Sequence, residues 1–232
     1  MRSIFSFLLL CIPVLTFCQR GIDPHGFKGN VRTVTERTLK YVDPEQEGAV
    51  DGMYCSWVAI TRYDRQGRMS VREFFAENNI PFYKEVPVKN TAGVIIGLIS
   101  SFFSGDVIEK EMYTFISDTT IVSERFDPDE EKTRTLTLKR EIRDGRVVKE
   151  TATVTFEDST SYRNTSYTEY EMEYTYDNEG NVIYLSRTVP QGKTAYTYSY
   201  ADRDEQGNWT RQVSYIEGES CQVVITEFEY YD

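Results

Sequence analysis

Residues 169–181 read Glu-Tyr-Glu-Met-Glu-Tyr-Thr-Tyr-Asp-Asn-Glu-Gly-Asn. In the first eight of these residues, aromatic or apolar side chains alternate with polar ones. Only a pleated strand gathers such residues on one face, because a helix distributes side chains two positions apart around its axis. The Asp-Asn-Glu-Gly that follows is typical of a tight turn, since Gly and Asn tolerate positive φ. The stretch therefore predicts a strand that ends in a hairpin turn.

The same alternation recurs along the chain, most clearly at residues 151–156, 195–200 and 209–215. Turn-forming residues separate these runs, as at residues 144–145 and 190–192. Because the breaks are short, the neighbouring strands are predicted to be antiparallel; a parallel crossover needs about a dozen residues or more. The predicted fold is all-β, a long antiparallel meander of hairpins that forms an open or partly curled sheet.

One stretch breaks the pattern. Residues 93–103 read Gly-Val-Ile-Ile-Gly-Leu-Ile-Ser-Ser-Phe-Phe, which is apolar without alternation and shorter than the ~20 residues that span a bilayer. Pro81 and Pro87 precede it, and proline is disfavoured in central strands. We expect a short apolar insertion near residues 91–104, either helix or loop. It is either buried in the protein or exposed as a loop that docks on lipid or a partner.

The N-terminal residues 1–18 have a composition of their own. One positive charge, at Arg2, precedes an apolar stretch over residues 4–17, which is the pattern of a secretory signal peptide. Cleavage after Cys18 leaves residues 19–232 as a single β-rich domain with no transmembrane segment. The alternative is a lipoprotein anchored at Cys18, because the four residues ending there resemble a bacterial lipobox. Either way we expect an exported protein, periplasmic or extracellular.

The net charge of the chain restricts the classes of partner that it can bind. It has 26 basic and 37 acidic residues, a formal net charge of −11. Nucleic-acid binding depends on basic patches that neutralise phosphates, and docking on anionic lipid needs the same sign of charge. Nucleic acid is therefore not an expected partner. A glycan, a peptide or another protein of the envelope or the extracellular space stays open.

Residue types that carry chemistry are scarce. The one histidine, His25, lies in an early Pro-His-Gly turn, and the chain has no Cys-x-x-Cys motif. A Cys/His zinc site therefore lacks ligands, and a histidine-activated nucleophile would depend on His25 alone. Pairs of acids that resemble a glycosidase site arise by chance among so many carboxylates. We expect no enzyme activity, no cofactor and no metal site.

Aromatic residues are the better candidates for binding. They stand at alternate positions of the C-terminal strands, where they form either a stacking platform for sugars or peptides, or the hydrophobic face that holds the sheet together. The weak candidates for ligand contact are Tyr174, Tyr176, Tyr198, Tyr200, Trp209 and Tyr215.

Cys55 and Cys221 remain after export, in a compartment that permits disulfides. A disulfide requires Cα atoms within about 7 Å, whereas strands in a flat sheet lie about 4.8 Å apart. A Cys55–Cys221 bridge is therefore possible only if the sheet curls until its ends meet. An open sheet leaves two separate thiols.

The phrase Tyr-Asp-x-x-Gly occurs at residues 63–67 and 176–180, and in expanded form at residues 200–208. It resembles the YD repeat of bacterial Rhs-type surface proteins. The likeness is closer to small secreted bacterial proteins built on the same phrase, which residues 27–36 and 207–215 also resemble. This resemblance implies an array of β-hairpins in a secreted or surface protein. Three copies are few for a shell around a cargo, and the repeat carries no catalytic residue.

Two functions follow as expectations. The first is a non-enzymatic binding or structural module of the bacterial envelope, which binds its ligand on an exposed face or edge of the sheet. The second is a carrier of lipid or another apolar ligand on a curved sheet, with residues 93–103 as a lid or plug.

Overall fold

The computed structural model describes residues 27–41, 53–76, 79–128, 132–157 and 164–232. The predicted signal peptide and His25 lie outside these residues. The described residues form fourteen β-strands: β1 Val31–Tyr41, β2 Met53–Tyr63, β3 Met69–Ala76, β4 Ile80–Lys89, β5 Ile95–Phe102, β6 Val107–Ser117, β7 Thr120–Phe126, β8 Lys132–Arg143, β9 Arg146–Glu157, β10 Asn164–Tyr176, β11 Val182–Val189, β12 Gly192–Arg203, β13 Trp209–Ile216 and β14 Glu219–Tyr230.

Each strand pairs antiparallel with the next one in the chain, and β1 pairs antiparallel with β14. The antiparallel meander is therefore confirmed, but the prediction of an open or partly curled sheet is wrong, because the sheet closes into a barrel. Pairing of the first and last strands satisfies the backbone groups that two free edges would leave unpaired. Alternation of side chains is the same in an open and a closed sheet, so the sequence pattern did not distinguish them.

The predicted insertion near residues 91–104 is also wrong, because Ile95–Phe102 is strand β5 of the barrel wall. Its sequence does not alternate because both faces contact apolar groups. Leu98 packs against the buried core on one face, and Ile99 lies opposite Val86 on the other. Gly97 allows close approach of β6, since a Cβ there would clash with the Glu111 carbonyl oxygen.

The two prolines are accommodated where strand pairing is interrupted. Pro81 lies at a register shift of the β3–β4 ladder. Pro87 lies beyond Glu85, the last β4 residue paired with β3, so β4 pairs there with β5 alone. A residue without an N–H is tolerated at such positions.

Side chains alternate between the inside and the outside of a barrel wall. Residues directly opposite each other on paired strands lie on the same face of the sheet. By this rule most of the buried side chains lie on one face, which we call the inner face. It carries the largest apolar cluster, formed by Tyr113, Ile121, Leu136, Leu138, Ala152 and Val154. The outer face of β8–β12 carries mainly Thr, Ser, Lys and Glu, as at Thr137, Thr153, Glu171, Ser186 and Thr197.

In the described part of the chain we find no helix with the length and hydrophobicity needed to span a bilayer.

Candidate functional site

One arc of the inner face is rich in tyrosine. We call it the tyrosine wall and define it by the inner-face residues of β10, β11 and β12: Tyr170, Met172, Tyr174, Tyr176, Leu185, Arg187, Tyr196, Tyr198 and Tyr200. Tyr174 lies opposite Leu185, which lies opposite Tyr196, so the three form one row across the strands. Leu185 is buried between two half-buried tyrosines. The sequence alternation at residues 169–176 thus places its aromatic side chains on the inner face.

Within each strand the rings form parallel ladders. The ring centroids of Tyr174 and Tyr176 lie 6.4 Å apart with planes 22° from parallel. Those of Tyr196 and Tyr198 lie 6.5 Å apart at the same angle. The hydroxyl of Tyr200 donates to the Val182 carbonyl at 2.9 Å and fixes one end of the second ladder. These ladders leave one strand, β11, between them.

Burial determines the protonation of these phenols. Desolvation, assisted by the nearby Glu150 carboxylate, raises the pKa of Tyr174 above its ordinary value. Burial likewise raises the pKa of Tyr198, with Tyr196 as its next contributor. Both groups are neutral at physiological pH and so remain hydrogen-bond donors as well as acceptors.

The structure brings together four of the six aromatic residues that sequence analysis proposed for ligand contact: Tyr174, Tyr176, Tyr198 and Tyr200. Trp209 lies at the end of β13, with its ring centroid 5.9 Å from that of Tyr200 and its indole N–H donating to Asn181 Oδ1 at 3.1 Å. Tyr215 lies on the outer face, where its hydroxyl is 3.1 Å from Ser199 Oγ. Tyr215 therefore does not belong to the tyrosine wall.

A second arc of the inner face, which sequence analysis did not identify, is charged. We call it the ionic wall and define it by these inner-face residues of β3–β7: Arg72, Phe74, Tyr83, Glu85, Leu98, Ser100, Glu109, Glu111, Tyr113, Ser123 and Arg125. Glu36 of β1 joins it, 3.4 Å from Arg72.

Glu111 is the centre of the ionic wall. Its carboxylate accepts hydrogen bonds from the Ser123 hydroxyl and, at 3.2 Å, from the Tyr113 hydroxyl. Arg125 Nε lies 3.7 Å from it, and another Arg125 nitrogen lies 3.5 Å from Glu109. The Glu111 side chain is 9% exposed and that of Arg125 is 15% exposed. This is a buried network of hydrogen-bonded ions rather than a surface ion pair.

Glu85 stands apart within this wall. Among the described residues it has no ion pair within 4 Å, although Arg72 lies directly opposite. Burial raises the pKa of Glu85 to about 7; the attraction of Arg72 and Arg125 opposes this shift, and the repulsion of Glu111 and Glu109 adds to it. Glu85 is therefore close to half protonated at neutral pH.

The sequence contained a signal for the ionic wall. In residues 107–113, Glu109 and Glu111 share strand parity with Tyr113, and Glu85 shares it with Tyr83. A carboxylate two or four positions from a buried aromatic residue in the same strand lies on the same face, and so indicates an acid inside the barrel. Glutamates in an acidic chain are usually solvent-exposed, and for that reason these residues were not predicted to lie inside the barrel.

The Tyr-Asp-x-x-Gly phrases form the predicted turns. Asp177 Oδ1 accepts from the backbone N–H of Glu179 at 2.9 Å and of Asn181 at 2.8 Å, while the Gly180 N–H donates to the Asp177 carbonyl. The turns at residues 64–68 and 204–208 have the same bonds. A fourth copy, not identified in the sequence, lies at residues 90–94 with an asparagine in place of the aspartate. The glycine has positive φ in all four turns, which explains its fixed place in the phrase.

The turn at residues 204–208 also fixes the start of the barrel. The Asn208 side chain accepts from the Lys28 N–H at 2.6 Å and donates to the Lys28 carbonyl at 2.9 Å. It also donates to the Tyr230 hydroxyl at 2.7 Å, and that hydroxyl donates to Asp204. The oxygens of Asp204 are thus used within the turn. In the described residues there is no group of three or more His, Cys, Asp or Glu that could hold a metal ion.

Both thiols are free in the structure. Closure brings the ends of the sheet together, but β1 lies between β2, which carries Cys55, and β14, which carries Cys221. Leu39 of β1 pairs with Cys55 on one side and with Val223 on the other. Two strand spacings of about 4.8 Å each exceed the Cα separation that a disulfide allows.

Comparison with known proteins gives a likeness of fold alone. A comparison with protein families finds none that matches, and no curated protein matches the sequence. The crystal structure of a porin-like protein from Bacteroides vulgatus is similar with a TM-score of 0.50 and 13% identity, over 87% of this chain and 98% of that chain. A porin-like protein from Bacteroides uniformis gives a TM-score of 0.48 and 12% identity, over 88% of this chain and 99% of that chain. At 13% identity, the first likeness supports the barrel fold and nothing beyond it.

Proposed function

We propose that the protein is an exported, non-enzymatic binding protein of the bacterial envelope, which binds a small glycan or peptide on the tyrosine wall. The observation that carries this proposal is the pair of parallel ring ladders on β10 and β12, which lie on either side of β11, with Leu185 directly opposite both Tyr174 and Tyr196. Aromatic faces stack on sugar rings and planar peptide groups, and the neutral hydroxyls at their tips supply hydrogen bonds.

The arrangement of the acids supports a non-enzymatic role. Glu111 and Glu109 are paired with Arg125, and Glu150 is paired with Arg140 at 2.7 Å. A general acid and base that act on a substrate must be able to reach it. These three carboxylates are held by guanidinium groups against the wall; among the described inner-face acids, Glu85 is the exception, with no ion pair within 4 Å.

Closure of the barrel determines where a ligand can bind. Without a free edge, a peptide cannot add a strand to the sheet, so the edge-binding mode that the sequence left open is wrong. The inner face carries the two tyrosine ladders together with hydrogen-bonding groups such as the Tyr200 hydroxyl.

The names of the similar structures raise formation of a membrane pore as another function, but the outer face is unfavourable for it. A membrane barrel presents an apolar band about 25 Å tall to lipid, and a Lys or Arg at mid-membrane costs about 2–4 kcal/mol. Here the exposed ion pairs Arg37–Glu227 and Lys149–Glu171 face outwards. We therefore propose a barrel surrounded by water, periplasmic or extracellular, or tethered through a lipid at Cys18.

A carrier of apolar ligands has less support. The residues of the large apolar cluster, such as Leu138 and Val154, are already covered by one another and offer no open lining. The segment at residues 93–103, expected as a lid, contributes β5 to the wall instead.

A glycan array and a peptide array, probed with the exported form of the protein, test this function. We expect retained ligands for the wild type and loss of binding in Tyr174→Ala and Tyr198→Ala. Tyr215→Ala is the matched control, since it removes the same side chain from the outer face of the same region. Absence of any bound ligand, or equal loss in the Tyr215 variant, would contradict the proposal.

A further inference from the structure

Arginines on the inner face differ in whether a carboxylate partners them. Arg72, Arg125 and Arg140 each have one within 4 Å, and Arg134 lies 3.4 Å from Glu169. Arg187 of β11 has no hydrogen bond or ion pair among the described residues. Its Nε is buried and unbonded.

The surroundings of Arg187 hold it in place without neutralising it. The guanidinium carbon lies 5.5 Å from the ring centroid of Tyr170, a cation–π contact. Met172 and Thr194 lie directly opposite on the two neighbouring strands, and buried Leu185 is the next inner-face residue of β11. No carboxylate is directly opposite on either side.

An unpaired, half-buried cation is unfavourable in the free protein, because desolvation of a charge is repaid only by a partner ion and hydrogen bonds. Such a group is favourable when a ligand supplies the anion. The planar fork of a guanidinium matches the paired oxygens of a carboxylate or a phosphate. The overall charge of −11 gives no general attraction for anions, so binding at Arg187 would be specific to its position.

We propose that Arg187 is the anion-binding residue of the tyrosine wall, and that the ligand carries a carboxylate or phosphate group attached to a ring. The anion would pair with the Arg187 guanidinium, and the ring would lie over the neighbouring Leu185, between Tyr174 and Tyr196. This proposal rests on the proposed function, since it names the chemical class of ligand for the same wall.

The test is ligand-observed fluorine NMR of the exported protein with three probes of one shape. 4-Fluorobenzoate carries a carboxylate, 4-fluorophenyl phosphate carries a phosphate, and 4-fluorobenzamide carries no charge. We expect one or both anions to bind more tightly than the amide. Arg187→Gln should weaken the anions about tenfold, the loss expected for charge-assisted hydrogen bonds, and leave the amide unchanged. Preference for benzoate or for phenyl phosphate distinguishes the two sources of the anion.

Arg143→Gln is the control for a change of net charge, because Arg143 is exposed on the β8–β9 hairpin and paired with Glu141. A second measurement needs no ligand: Arg187→Met should raise the thermal midpoint or leave it unchanged, since it removes an unpaired, half-buried charge. A lower midpoint would overturn the claim that this cation is unpaired in the free protein.

The outcomes separate the two proposals. Equal binding of acid and amide, lost in Tyr198→Ala, would overturn the role of Arg187 and leave the tyrosine wall as the binding surface. Anion binding that survives Arg187→Gln would do the same. No binding of any probe would count against both.

Discussion

The ionic wall and the tyrosine wall lie on opposite arcs of the same barrel: β4 and β11 are seven strands apart in a ring of fourteen. Both are inner surfaces, yet they solve the problem of burial differently. The ionic wall buries carboxylates and pairs nearly all of them with arginines. The tyrosine wall buries phenols, which need no counterion, and leaves one arginine unpaired. The comparison indicates that most charged groups of the ionic wall are paired with one another. In the tyrosine wall, Arg187 and the phenol hydroxyls can still bind a ligand.

The largest effect should come from breaking the network around Glu111. Glu111→Ala removes a carboxylate that is 9% exposed and lies 3.7 Å from Arg125, and it takes away an acceptor of the Ser123 and Tyr113 hydroxyls. Removal of one member of a buried pair typically costs about 3–5 kcal/mol. We expect a loss of about 3 kcal/mol in the free energy of unfolding, measured by urea denaturation.

Two variants sharpen this result. Glu229→Ala removes a carboxylate that is 59% exposed and should cost under about 1 kcal/mol. The double variant Glu111→Leu with Arg125→Met removes both charges and should be more stable than Glu111→Ala by on the order of 2 kcal/mol. A double variant no better than the single would show that the network acts through geometry rather than charge.

The second prediction concerns pH and Glu85. Its folded pKa of about 7 lies above the ordinary value of 4.5, so the folded state holds this proton more tightly than the unfolded state does. Stability from this group is therefore fully present below pH 4.5 and is lost as the pH rises through about 7. The loss is roughly 3 kcal/mol for a shift of this size.

The unfolding free energies of the wild type and of Glu85→Gln, each determined at pH 5 and pH 8, measure this loss of stability. The variant should lose less stability than the wild type over this interval. Glu229→Gln is the control, because the hydrogen bonds from Arg32 and Thr33 lower the pKa of Glu229 and give it the opposite sign. Equal pH dependence in the wild type and Glu85→Gln would contradict the assignment.

Local structure could be predicted from the sequence to a large extent. Alternation at residues 169–176 identified a strand and grouped Tyr174 with Tyr176 correctly. The Asp-x-x-Gly phrases located three turns, because their bonds join residues two to four apart and so depend only on local sequence. Residues 90–94 were missed since Asn90 replaces the aspartate, although its side chain makes the same bonds.

Features that depend on distant residues could not be predicted. Closure joins β1 to β14, and the sequence of neither strand indicates which strand it pairs with. The same is true of β5, which lacks alternation because Leu98 and Ile99 each meet apolar groups supplied by other strands. Its length of eight residues between glycine turns and its β-branched Ile95, Ile96 and Ile99 were local signs of a strand.

The candidate site was predicted in part for the same reason. Parity correctly placed Tyr174 with Tyr176 on one face of β10, and Tyr198 with Tyr200 on one face of β12. Tyr215 was wrongly assigned to the same surface. Parity relates residues within one strand, so it could not show which face of β13 matches the tyrosine face of β12. The pairing of Tyr215 with Thr197 places it outside. The lack of a partner at Arg187 had no signal in the sequence, since it is a property of the assembled wall.

A third prediction, smaller in effect, compares two copies of the turn beneath the tyrosine wall. Asp177→Ala removes the acceptor for two backbone N–H groups and should cost about 1 kcal/mol in unfolding free energy. Asp204→Ala should cost more, because Asp204 accepts from the Tyr230 hydroxyl of β14, whereas the side-chain donor to Asp177, Asn181, belongs to the same turn. Asp106→Ala serves as control, since Asp106 accepts only from the Ser104 hydroxyl among the described side chains. An equal cost for all three would show that the phrase contributes little to stability.

The smallest effect should come from the outer face, where the same ion types meet water. Arg37 and Glu227 form an ion pair at 2.5 Å, but their side chains are 40% and 61% exposed. Exposed pairs contribute about 0–1 kcal/mol and are screened by salt. Arg37→Ala should therefore cost under about 1 kcal/mol, and the cost should shrink further in 1 M salt. A cost that approached that of Glu111→Ala and persisted in salt would mean that the outer face is shielded from water, and the proposal of a barrel surrounded by water would fail with it.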